Sequence, residues 1–574
     1  MKCVLYLACE TFQPKNSTLK FFVYFLLLIA LSPIHSQEQI NWVPPLTIPI
    51  QLSGTFGELR NTHFHAGLDI RTQGRQGLPV NSVQDGWISR INVSTSGYGK
   101  ALYIEHLDGT TTVYAHLKKF SPRIEAYVKE NQYEKESYTL RLFPKKDELP
   151  ISLGEEIGFS GNTGGSYGPH LHFEVRNTRD QTPINAMQYP FEIEDTQRPQ
   201  IQNFYLYENT TQQSRKKEFQ LTPLNDSVYS TPTLYALGKI NIGLRLFDRQ
   251  NLSYNKNGIY MATIRLNGKV YFDSRMDKMS FNDSKYIDLL VDYSTLKKDK
   301  IRIQRFVKHP SQKLSFLDNT ENGEMEITTG NSYQLLVTVE DFNGNKRYIE
   351  TYIEGGKALF DSIAPLKNSY NPTIDHFFDF EQAAVYFPKD CFFEPVALNI
   401  AEKGNVLHVD EDRYPLQKPF EVRFKIEDLD SLSKAQSFIA RLSANGKPLF
   451  MSTKKGEKEW TAKSSSLGKF TLSKDSLAPT LKAVNFKSGQ WLTNYSFLKF
   501  KIADDLTGIK NYRGEINGRW IRLEYEPKNQ SLIYDFSDLE FNQAEHQLTL
   551  EAEDHVGNKQ RLEMTFYRKP KTQS

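Results

Sequence analysis

The sequence predicts a mainly β chain of several domains, and three observations carry that reading. Aromatic residues make up 13% of the chain, with 30 Tyr and 37 Phe, a composition suited to pleated, half-buried surfaces. Short apolar runs are fenced by Gly, Asn, Asp and Pro turn signals, as strands are. Whole phrases also recur. Asp195-Thr-Gln-Arg-Pro199, Asp361-Ser-Ile-Ala-Pro365 and Asp475-Ser-Leu-Ala-Pro479 open alike, and Val339 to Glu350 (VEDFNGNKRYIE) matches Ala552 to Glu563 (AEDHVGNKQRLE). The 574 residues exceed one compact domain; at roughly 150 residues per domain they divide into three or four units.

In chain order, residues 1–36 read as an export signal. Lys15 and Lys20 precede an apolar run, Phe21 to Leu31, which is followed by Ser32-Pro33-Ile34-His35-Ser36. That run is too short for a membrane span and has the length of a signal-peptide core, with cleavage expected after Ser36. Residues 37–194 form the next unit. Within it Val80 to Val83, Gly86 to Val93, Ala101 to Glu105, Thr111 to His116, Glu155 to Ser160 and His170 to Arg176 read as strands. Asp85-Gly86, Asp108-Gly109 and Thr163-Gly164-Gly165 mark turns. Ile124 to Ser137 has helical composition and precedes a strand at Tyr138 to Phe143, so residues 121–152 read as an insertion. The recurring phrases then delimit three β-sandwich modules of Ig-like size, at 195–360, 361–474 and 475–574. The middle one lacks a clear closing phrase.

Charge and cysteine usage narrow the function. With 71 basic and 68 acidic residues the net charge is +3, which argues against a nucleic-acid partner. No later stretch is long and apolar enough to span a membrane. Cys3 and Cys9 fall in the leader, so Cys391 alone remains in the mature chain. It pairs with no other cysteine there and reads as a structural residue.

The chemistry concentrates in a few histidines. At Gly168 the chain reads GPHLHFEV. In a strand, residues i and i+2 share a face, so His170 and His172 project together while Leu171 and Phe173 turn away. Two imidazoles on one face bind one metal together, or one binds while the other moves protons. An isolated HxH is more often a pair of surface histidines, but the rest of the unit changes the odds. At residue 63 the chain reads HFHAGLDI, with His65 and Asp69 spaced i, i+4 and Gly67 between them to permit a tight turn. His and Asp are sound zinc ligands, and a catalytic zinc takes three protein ligands and keeps one open position. His65, Asp69 and one histidine of the HLH pair meet that requirement. Tyr114 and His116 of VYAHLKK are expected on one strand face.

The order HxxxD, YAHL, GPHLHFE resembles the lysostaphin-type zinc metallopeptidases, peptidoglycan-cleaving endopeptidases with a duplicated-hybrid-motif β-fold. Gly77-Leu78-Pro79-Val80, Asp85-Gly86, Gly97-Tyr98-Gly99, Leu153-Gly154-Glu155-Glu156-Ile157-Gly158 and Ser160-Gly161-Asn162-Thr163-Gly164 fit the same pattern, so the resemblance covers residues 50 to 185. It implies Zn2+ held by His65, Asp69 and His172. It also implies that His116 and His170 form the catalytic pair, orienting or deprotonating the attacking water and stabilising the oxyanion.

Neighbouring residues carry weaker expectations. His63 reads as a polar neighbour, Arg60 and Asn61 as contacts to substrate or water, Tyr98 and Tyr114 as groove lining or packing, and Glu174 as orienting an imidazole or facing solvent. The insertion reads as a lid or groove wall. The resulting expectation is an exported zinc-dependent metalloendopeptidase of the periplasm or cell surface, acting on peptidoglycan stems or cross-links. Its β-modules are expected to bind wall or protein partners. The alternative is a catalytically silent or autoinhibited scaffold that regulates another cell-wall hydrolase.

Overall fold

Runs of alternating side chains become strands throughout the computed structural model, which describes residues 41–209, 214–251, 253–317, 321–360, 369–426, 430–540 and 542–570. The expected export segment lies outside the described residues, as does the opening phrase at Asp361. No helix among the described residues is long and apolar enough to cross a membrane.

The histidine-bearing unit contains β1 (Leu52–Gly54), β2 (Leu68–Arg71), β3 (Pro79–Asn81), β4 (Gly86–Val93), β5 (Lys100–His106), β6 (Thr110–Ala115) and β7 (Lys119–Phe120). Helix α1 (Pro122–Glu134) follows, then β8 (Leu140–Leu142), β9 (Pro150–Ile151), β10 (Glu156–Phe159), β11 (His170–Asn177) and β12 (Pro183–Ile184). The main sheet runs β1-β2-β11-β6-β5-β4-β8, and a small second sheet runs β3-β10-β7. β11 therefore sits centrally, antiparallel to both β2 and β6. Its Leu171, Phe173 and Val175 enter the hydrophobic core, which leaves His170, His172, Glu174 and Arg176 on the opposite face.

Helix α1 starts where Pro122 occupies the first turn and buries Ile124, Val128 and Gln132, a stripe spaced i, i+4, i+8. Its polar contacts run to the last module, where Lys129 pairs with Asp538 at 2.7 Å and Gln132 bonds Arg522 at 3.3 Å; just past the helix, Glu136 pairs with Arg513 at 2.8 Å.

Beyond residue 195 come pairs of facing sheets. A 5-stranded and a 7-stranded sheet form the first module, two 5-stranded sheets the second, and a 4-stranded and a 5-stranded sheet the third. The second and third each enclose a separate core, around Phe387, Phe420 and Trp460 and around Phe500, Leu532 and Phe566. The first is different: one continuous core runs from Leu46 through the histidine-bearing unit to Ile353 and also takes in Phe393 of the second module. Phe64 and Phe316 meet edge-on across it at 5.3 Å. Cys391 is buried in the second module as a free thiol.

Candidate metal centre

Strand register builds the site. Asp69 on β2 lies directly opposite His172 on β11, and cross-strand partners project to the same face. His65 arrives from a hairpin preceding β2, where its N–H donates to Glu58 O and its own O accepts from Gly57 N, both at 2.9 Å. Gly67 brings the segment close to β11. A Cβ there would stand 2.3 Å from Phe173 O and 2.7 Å from Glu174 Cγ. Gly67 is not among the left-handed glycines, so close approach, and not a tight turn, requires it.

Three buried donor atoms converge. His65 Nε2 lies 3.0 Å from Asp69 Oδ1, His172 Nδ1 lies 2.9 Å from the same oxygen, and the two nitrogens are 3.1 Å apart. The outer nitrogens fix the tautomers. His65 Nδ1 faces Thr55 O at 2.8 Å; a carbonyl only accepts, so the proton sits on Nδ1 and the Nε2 lone pair points inward. His172 Nε2 donates to Glu174 Oε1 at 2.7 Å, which turns its Nδ1 lone pair inward. Two imidazole lone pairs and a carboxylate oxygen facing one point form a donor set that fits zinc.

Electrostatics agree. Burial resists charge on His172, yet Asp69 and Glu174 outweigh it and hold its pKa up at about 9; the metal-free ring therefore also holds a proton on Nδ1 at neutral pH, and a cation would take that proton's place and free the lone pair. Burial also opposes ionising Asp69, but His65 and the bonds from the three imidazoles hold its carboxyl well below the ordinary range. Glu174 is fully buried and held down at about 2, because Arg176 and His172 overcome its desolvation. Arg176 Nε donates to Glu174 Oε2 at 2.6 Å, and Tyr98 OH donates to Oε1 at 2.5 Å. Glu174 therefore orients His172 and does not face solvent.

His116 and His170 stand beside this centre. Their rings are 4.8 Å apart, and His116 is 5.8 Å from the His172 ring. His116 Nδ1 donates to Thr163 O at 2.8 Å. His170 Nδ1 donates to Gly168 O at 2.8 Å, and its Nε2 lies 3.4 Å from Asp69 Oδ1. Burial first, then the neighbouring His172 and His170, push His116 down to about 3, so it is neutral with its Nε2 lone pair available. All five histidine and aspartate positions expected from the sequence are thus brought together.

Other expectations change. β6 ends at Ala115, and His116 has φ 59°, so it turns out of the strand and shares no strand face with Tyr114. Tyr114 lies in the core and accepts from Val83 N at 3.0 Å; it lines no groove. Arg60 is engaged by the protein itself, its Nη2 donating to Asp69 Oδ2 at 2.8 Å and its Nε pairing with Glu58 at 3.3 Å. Asn61 Oδ1 accepts from Arg302 of the first module at 3.4 Å. His63 is exposed on a bend. Sequence reasoning missed Arg176, although the period of two on β11 pointed to it. It also missed Thr55, Thr163 and Gly168, whose carbonyls act through the backbone and leave no residue signature.

Residues 63–133 match the model of Peptidase family M23, a stretch containing His65, Asp69 and His116. Over 129 residues the chain is 35% identical to the DD-carboxypeptidase/endopeptidase Mpg of Neisseria meningitidis serogroup B, covering 22% of this chain and 24% of that protein. Over 122 residues it is 31% identical to the cell division protein DipM of Caulobacter vibrioides, covering 21% and 16%. The chain thus spans a quarter or less of the length of these relatives. A zinc-containing peptidase from Vibrio cholerae is 28% identical, with 27% of this chain and 40% of that one covered and a TM-score of 0.20.

Proposed function

We propose that this chain, which carries a peptidase family M23 domain, is an exported zinc-dependent endopeptidase that hydrolyses peptide bonds of peptidoglycan. The observation that carries the reading is the convergence of two imidazole lone pairs and Asp69 Oδ1, with two further histidines alongside. The substrate class rests on the similarity to a DD-carboxypeptidase/endopeptidase of Neisseria meningitidis and to a peptidoglycan DD-endopeptidase of Vibrio cholerae.

Zinc bound by His65, Asp69 and His172 supplies Lewis-acid polarisation of the scissile carbonyl and an acidified water. The chain's own groups do the rest. His116, neutral and anchored by Thr163, accepts a proton from the attacking water at Nε2. As water oxygen bonds to the carbonyl carbon, the imidazole pair returns that proton to the leaving amine and the C–N bond breaks. His170, its Nδ1 anchored by Gly168, would stabilise the oxyanion in its doubly protonated form, donating from Nε2. Glu174 keeps His172 in the tautomer that binds.

The test is digestion of purified peptidoglycan by the mature chain, zinc-loaded or chelator-treated, with fragments resolved by mass spectrometry. Chelator-sensitive release of shortened stems or opened cross-links is expected. A folded, zinc-loaded protein that releases nothing overturns the enzymatic reading in favour of the silent or autoinhibited scaffold.

A further inference from the structure

Two clusters of carboxylates lie outside the histidine centre. Asp195, Asp248 and Asp341 offer oxygens within 4.8 Å of one another, and so do Asp475, Asp504 and Asp554. The two trios are copies. Asp195 and Asp475 open the repeated first phrase, and Asp341 and Asp554 belong to the repeated closing phrase. In both, one asparagine ties the phrases together. Asn345 Nδ2 donates to Asp195 O at 3.1 Å and to Asp341 Oδ2 at 2.7 Å. Asn558 Nδ2 donates to Asp475 O at 2.9 Å and to Asp554 Oδ2 at 2.7 Å.

Turn chemistry accounts for part of this, since Asp341 and Asp554 accept from the backbone of the turns that follow them. It does not account for Asp248. That side chain is 4% exposed, its Oδ1 has no hydrogen-bond partner, and its charged neighbours are Asp341 and Asp195 themselves. Asn257 pairs with Asp248 in an antiparallel bridge, which sends both side chains to one side. Asn257 is 3% exposed, and neither its Oδ1 nor its Nδ2 has a partner. Both line one cavity with Asp195 and Asp341. A buried carboxylate and a buried amide without partners each cost free energy unless something fills the cavity. In the last module the corresponding Asp504 is only half-buried, and its Oδ2 accepts from the backbone N–H groups of Leu506, Thr507 and Gly508, so turn chemistry accounts for that trio.

We propose that Asp195, Asp248, Asp341 and Asn257 bind a calcium ion. Carboxylate and amide oxygens with no nitrogen or sulfur suit a hard cation, and a cage made from protein oxygens suits calcium better than magnesium, which retains its waters. The site stands where the histidine-bearing unit passes to the first module. Asn343 Nδ2 donates to Ile193 O at 3.0 Å, and Leu52, Thr55 and Phe56 of the histidine-bearing unit wall the cavity. Calcium therefore fixes this joint.

The test uses the full mature chain, stripped of divalent ions, reloaded with zinc and titrated calorimetrically with calcium, with thermal midpoints measured in parallel. One ion binds per chain and the midpoint rises. Asp248→Asn loses that ion and the calcium-dependent rise in midpoint, whereas Asp504→Asn keeps both. A folded wild type that binds no calcium at millimolar concentration overturns the proposal, whatever the variants do. Binding that survives in Asp248→Asn, or that is lost with Asp504→Asn alone, also overturns it.

Discussion

Glu174 decides how His172 presents itself, and it does so from full burial between a histidine and an arginine. Glu174→Gln keeps an acceptor for the imidazole but removes the charge that Arg176 faces, and outer partners of this kind are worth about 10–100-fold in metal affinity. Competition with a chromophoric chelator measures that loss; an unchanged zinc Kd would sink the assignment. The carboxyl also links stability to pH. Its folded pKa of about 2 lies below the ordinary 4.5, so its pairing stabilises the fold above pH 4.5 and is lost as pH falls towards 2. The acid limb of the thermal midpoint should be shallower in Glu174→Gln. His116 and His172 separate by a different readout. His172→Ala is expected to lose zinc and activity together, whereas His116→Ala keeps zinc and loses about 100-fold or more in turnover. Full activity in His116→Ala would remove it from the chemistry. The HLH spacing made His170 and His172 legible because a strand has period two. The shared face expected of Tyr114 and His116 fails because that period stops at Ala115, and nothing in the letters shows the left-handed turn at His116.

At the scale of elements, the pairing of β2 with β11 is what turns distant letters into a site. Its register sets Asp69 against His172 and Arg71 against His170, and a slip of one residue would send every one of those side chains into the core. Gly67 protects that register by letting the chain pass against Phe173 O. Gly67→Ala forces the two segments apart, with an overpacking cost of about 1–3 kcal/mol. A lowered thermal midpoint together with weakened zinc binding is expected; a variant with wild-type values in both would show that the approach is not constrained. The glycine was visible in the sequence but its purpose was not, because close approach depends on a strand more than a hundred residues away. Helix α1 was legible by composition, yet its role as a platform for the last module depends on Arg522, Arg513 and Asp538, which no local pattern connects to it.

Across the whole molecule the last module reaches back to the loop that anchors His116 and His170. Lys528 Nζ donates to Ser166 O at 2.9 Å and also to Asn162 O. Residues 162–168 are the loop whose Thr163 and Gly168 carbonyls anchor His116 and His170. Behind them Glu524 pairs at 2.8 Å with Lys100, whose backbone N–H bonds Thr163 Oγ1 at 3.0 Å. The sequence reading expected the modules to bind wall or protein partners and gave no sign of this contact, because contacts separated by 362 residues leave no trace in local pattern. The shared core makes the same point at the other end, where a chain cut near Pro190 would expose Phe64 and free Leu52 N from Gln250. Such a fragment is expected to unfold more easily than the full chain instead of working independently. Lys528→Met tests the loop contact without cutting anything. It leaves every metal ligand and the charge pair of Glu524 intact, but it frees the carbonyls of Asn162 and Ser166. Small misplacements of anchored catalytic groups are costly in rate, so turnover should fall about 10-fold with zinc content and thermal midpoint little changed. The fall should appear in kcat more than in KM, because the contact positions histidines and touches no substrate. Wild-type kcat in Lys528→Met would mean that the last module rests on the loop without holding it.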